Sequence, residues 1–111
     1  MTTPDAAAAE LLHSLGYLYM RNGQESRALI FLLIAYRIEP DHPGVLRTLA
    51  AAFVANGAGE RALVAIDRLA VLEGGMAPAA MLLRARALFV AGRPVEARGC
   101  FRDYVELRRL P

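Results

Sequence analysis

The chain repeats itself. Asn22-Gly23, Asn56-Gly57 and Ala91-Gly92 stand 34 and 35 residues apart, and Ala28, Ala62 and Ala97 follow at the same two spacings. A period of this length marks one supersecondary unit stacked on copies of itself, because a single such unit cannot bury its own apolar face. The 111 residues therefore read as one domain (1–111) with a core shared between neighbouring units, and no segment alternates as a strand would.

The units fall at about 9–42, 43–77 and 78–111. The first has Leu12, Leu15, Gly16 and Tyr19 on one helical face, then Ala28, Leu32 and Ala35 on a second, and a closing Pro40. The second has Leu46, Leu49, Ala50, Phe53, Ala62, Ile66 and Leu69, and closes on Gly74-Gly75. The third has Met81, Ala85, Leu88, Ala97, Phe101 and Tyr104, with Arg84 where a leucine is expected. This order of small and large residues resembles the tetratricopeptide (TPR) repeat, a helix–turn–helix of about 34 residues. The resemblance implies an all-α fold of three tandem repeats in a short right-handed solenoid with a concave groove.

Local chemistry places the helices near 4–21, 24–38, 43–56, 59–73, 77–91 and 94–109. Thr3-Pro4-Asp5 supplies an N-cap, a proline at the first helical position and an acid in the first turn. Pro43, Pro78 and Pro94 open later helices in the same way. Pro40 stops the second helix, since the residue before a proline is pushed out of the helical region. Gly16 and Ala28 are small where two helices cross, and Gly23 suits the positive φ of a tight turn.

The second helix contains the unbroken apolar run Ala28–Tyr36, closed by Arg27 and Arg37. Spanning a bilayer takes roughly 20 apolar residues, so length excludes a membrane helix. Besides Leu32 and Ala35, the run holds Leu29, Ile30, Phe31, Leu33 and Ile34. Their counterparts one repeat on are Leu63, Val64, Ala65, Asp67 and Arg68, and two repeats on Arg98, Gly99, Cys100, Arg102 and Asp103. Helices 4 and 6 thus have a solvated outer side, whereas helix 2 needs cover on more than one face. A partner, a second copy or the N-terminal segment is expected to provide it. The apolar share of 56%, including 21 alanines, and a mean hydropathy of +0.32 point the same way. Helix 6 ends beside Pro111 with Phe101, Tyr104, Val105, Leu107 and Leu110 still to be covered, the pattern of an incomplete solenoid.

The 13 basic residues are all Arg, scattered among 11 acids, for a net charge of +2. Nucleic-acid binding needs clustered charge on one face, so this class is excluded. His13 and His42 lie on different elements without Cys or carboxylate partners at ligand spacing, so no metal is expected. His42 reads as a turn residue or helix cap, and Cys100, lacking a nearby base, as an inert, partly buried thiol suited to a reducing cytosol. Gly57-Ala58-Gly59 follows no strand and is no phosphate loop. No catalytic residue, cofactor or signal peptide is expected; "MTTPDAAAAELL" has no basic leading region.

In TPR arrays the first helix of each repeat lines the concave groove. The resemblance implies an inward set of His13, Tyr17 and Met20, then Arg47, Ala51 and Val54, then Leu82, Arg86, Phe89 and Val90. This mostly apolar set suits an amphipathic helix or an extended apolar peptide. The carboxylate-clamp TPRs carry Lys and Asn at such positions, and this chain has neither there.

The whole chain also resembles the TPR chaperones of bacterial type III secretion, the YscY/SctY family. The resemblance lies in its length, in "LLHSLGYLYMRNGQESRALIFLLIAYRIEPDHP", in "GERALVAIDRLA", and above all in "LLRARALFVAGRPVEARGCFRDYVELR". It implies a cytoplasmic bacterial chaperone that keeps a small secreted export component (YscX/SctX-like) soluble. It also implies engagement of the export-gate protein SctV. Chaperones of translocators (SycD class) or needle subunits (YscG class), and a free-standing TPR scaffold, are the alternatives.

Overall fold

The computed structural model describes residues 3–110, which form six α-helices and, among those residues, no strand. They are α1 (Pro4–Arg21), α2 (Glu25–Ile38), α3 (Pro43–Ala55), α4 (Gly59–Glu73), α5 (Pro78–Val90) and α6 (Pro94–Arg109). The class is all-α. Pro111 and the incomplete ending inferred from it lie outside the described residues.

Local chemistry sets the boundaries. The Thr3 hydroxyl accepts a hydrogen bond from the Ala6 N–H at 3.0 Å, and Pro4 takes the first helical position. His42 caps α3, its Nδ1 accepting from the Val45 N–H at 3.1 Å. Four ends differ by one residue from the sequence-based expectation, at Gln24, Asn56, Ala77 and Ala91. Each of these is the cap residue of its helix, bonded to the helix at its end but not counted within it. The turns inside the repeats are made by Gly23, Gly57 and Gly92, with φ of 74°, 77° and 78°. A side chain is strained at such angles, which accounts for the 34- and 35-residue recurrence of glycine.

The helices pair as α1 on α2, α3 on α4 and α5 on α6. Each pair rests on the next through α2 with α3 and α4 with α5, while α1, α3 and α5 touch in succession. The body measures 42 × 29 × 21 Å. One core runs through it, from Ala28 and Leu32 by way of Leu46, Leu49, Ile66 and Leu69 to Leu83 and Leu88.

Small residues set the closest approaches. A Cβ built on Gly16 would lie 2.6 Å from Cγ of the fully buried Leu32. Between pairs, a Cβ on Gly59 would lie 2.5 Å from both the Ala87 carbonyl oxygen and the Ala91 nitrogen. Arg84, standing where leucine was expected, reaches Asp67 on α4 at 2.7 Å and so ties α5 to its neighbour. Arg68 of α4 likewise pairs with Asp41 in the turn between α2 and α3. Exposed pairs of this kind add little stability.

Candidate functional site

The apolar run of α2 divides into three parts. Ala28, Leu32 and Ala35 are core; Leu29, Leu33 and Tyr36 are half-buried against it. Phe31 stacks on Tyr19 of α1, with ring centroids 5.2 Å apart. Only Ile30 and Ile34 of the run are exposed. The contrast with α4 is also narrower than the sequence implied. Val64 and Val71 of α4 stand open to solvent, so its outer side is not uniformly polar. What distinguishes α2 is Leu33 and Ile34 in place of Asp67 and Arg68. A shallow cleft of about 230 Å³ between the two helices is floored by Leu46, Leu49 and Phe53 and edged by Leu33, Tyr36 and Val64.

The residues expected in the concave groove separate into a trough, an end groove and the core. The trough, about 350 Å³, is lined by Tyr17 and Met20 of α1, Arg47, Thr48 and Ala51 of α3, and Leu82 and Arg86 of α5. Thr48, which the sequence reading omitted, is there because it sits one turn before Ala51 on the same helical face. Arg47 is held at one edge by Glu73, 2.8 Å away. His13 sits beside the trough rather than in it, in a hollow with Glu10, Ser14 and Gly44. Val54 is buried in the core and lines neither surface. Its repeat position was expected to face inward, but α5 packs beside α3 and Val54 joins one core cluster with Leu83 and Ala87 of α5.

Phe89 and Val90 lie at the end groove, which runs between α5 and α6 and measures about 750 Å³. Leu82 and Arg86 border both this groove and the trough, making the two continuous. The other wall comes from α6, from Pro94, Ala97, Phe101 and Val105. Phe101 was legible in the sequence as a residue needing cover; that it shares a groove with Phe89 follows only from how α5 and α6 pair.

The polar groups here hold structure. His13 Nε2 lies 2.8 Å from the Thr48 hydroxyl, and the His13 and His42 rings meet edge-on with centroids 5.9 Å apart. Burial, and then the neighbouring His42, lower the pKa of His13, against a smaller opposing pull from Glu10. Cys100 donates to the Met81 carbonyl at 3.3 Å, and burial raises its pKa. Among the described residues no three His, Cys, Asp or Glu side chains gather to hold a metal ion. No helix there is long and apolar enough to cross a membrane.

No family model matches the chain, and no curated protein matches it significantly.

Proposed function

We propose that this chain is a three-repeat TPR protein, its hairpins forming a right-handed solenoid, that binds another polypeptide as a chaperone. On the sequence resemblance described above, we read it as a cytoplasmic chaperone of the SctY kind from bacterial type III secretion. The client would then be a small SctX-like export component, presented as a complex to the export gate SctV. The observation that carries the reading is the trough. Side chains thirty-odd residues apart in sequence, from Tyr17 to Arg86, converge on one open and mainly apolar surface built from the first helix of every repeat. A surface of this composition, left open among the described residues, fits an apolar segment of a partner.

Co-expression with an SctX-like protein encoded beside it tests the proposal. The expected result is a soluble complex on size-exclusion chromatography and a free chain that aggregates. Ala51→Glu places a charge at the centre of the trough on an otherwise helix-compatible site, and should abolish the complex while circular dichroism stays helical. A free chain that is a stable monomer and forms no complex would overturn the chaperone reading and leave a TPR scaffold.

A further inference from the structure

The end groove has an occupied twin one repeat earlier. On α3 and α4, Ala50, Val54, Ala62 and Ile66 are buried, with α5 packed against that pair. Thirty-five positions on stand Ala85, Phe89, Ala97 and Phe101, and there the two phenylalanines are 70% and 51% exposed. The shape that fits such a groove is therefore a helix, as α5 demonstrates in the same molecule.

Two residues say which helix it is not. The first position of α4 is Gly59, which lets the backbone of α5 approach until a Cβ would clash at 2.5 Å. The first position of α6 is Pro94, whose ring already carries that Cβ. The occupant must stand further off than α5 does. The α1 helix of a second copy is badly suited to follow, because it presents Leu18 where α3 and α5 present Ala52 and Ala87. Leu18 would meet Pro94, so copies cannot continue the stack in the register of the repeat. Face-to-face pairing of two end grooves is opposed by charge, since Arg86, Arg98 and Arg102 all border the groove and no carboxylate does. None of these three arginines forms an ion pair among the described residues.

We infer that the α5–α6 groove takes an amphipathic helix of a partner protein with acidic flanks. Its apolar side would lie on Phe89, Val90, Phe101 and Val105, and its carboxylates against Arg86, Arg98 and Arg102. Apolar contact supplies the affinity, while the arginines select the partner and set its direction. The inference rests on the reading that this chain binds polypeptides, and on no particular client.

The probe is a fluorescein-labelled peptide of about 18 residues, roughly five helical turns, with leucines along one face and glutamates beside them. Its control replaces every glutamate by lysine. Fluorescence anisotropy with the full chain should show the lysine peptide bound at least about tenfold more weakly, a gap that closes as salt rises. Arg98→Glu with Arg102→Glu should reverse the preference, and Phe101→Ser should weaken both peptides; all these sites are exposed, so helicity should be kept. Ala51→Glu should leave the glutamate peptide bound, which separates this groove from the trough. Equal affinity for both peptides, no binding of either, or loss of binding in Ala51→Glu would each overturn the inference. So would a dimer, seen by light scattering, that Phe101→Ser dissolves, for then the occupant is a second copy.

Discussion

His13 and Thr48 are joined across the first two repeats, Nε2 to Oγ1 at 2.8 Å. The Thr48 hydroxyl gives its own proton to the Gly44 carbonyl at 3.1 Å, so it accepts from His13. The neutral imidazole protonated on Nε2 satisfies this arrangement. Adding a second proton sets a charge in a half-buried site beside the His42 ring. With the folded pKa below the ordinary 6.5, the unfolded chain takes up the proton first. The stabilising contribution is complete above that value and is lost as pH falls through the folded pKa.

Urea unfolding should therefore show wild type losing stability between pH 7.5 and 5.5. His13→Gln, which retains a donor for Thr48, should lose less over the same window. Parallel curves for the two proteins would show that His13 is not the group responsible.

Gly59→Ala sets two effects against each other. Alanine gains about 0.5–1 kcal/mol over glycine in a helix interior, and less at a first position. The added carbon would meet the backbone of α5, which cannot rotate away as a side-chain tip can. Overpacking typically costs about 1–3 kcal/mol, so the net effect should be destabilising. A denaturation midpoint equal to or above wild type would show that α4 and α5 separate easily.

Ile30→Gln and Ile34→Gln replace side chains that are 59% and 43% exposed. Each should change stability by no more than about 0.5 kcal/mol and raise the solubility of the free chain. Leu32→Gln, in the same run, should unfold the protein, because it buries an amide with no partner. A stability loss at Ile30 or Ile34 as large as that at Leu32 would mean that they belong to the core. Higher solubility with unchanged client binding would identify this face with self-association.

Cys100 should react slowly. Burial raises its pKa, Arg84 opposes the rise and Asp103 adds to it, and the thiol is engaged by the Met81 carbonyl. Iodoacetamide near neutral pH should label it well below the rate of glutathione, with full labelling only in denaturant. Labelling as fast as the free thiol would show that α5 and α6 part readily.

The sequence by itself determined what depends on neighbours along the chain. The proline-opened helices, the Thr3 and His42 caps, the glycine turns and the 34- and 35-residue period are local events, driven by dihedral preference and by side chains reaching the next turn. Tertiary structure decided what depends on which helix arrives next. Val54 and Phe89 occupy the same position in successive repeats, yet one joins the core cluster that α5 side chains share and the other is open to solvent. Ile34 and Leu32 lie in one apolar run, and only the packing of the pairs separates surface from core. Hydrophobicity states that a side chain prefers cover; whether it has any is set by contacts between segments far apart in the chain, which periodicity does not encode.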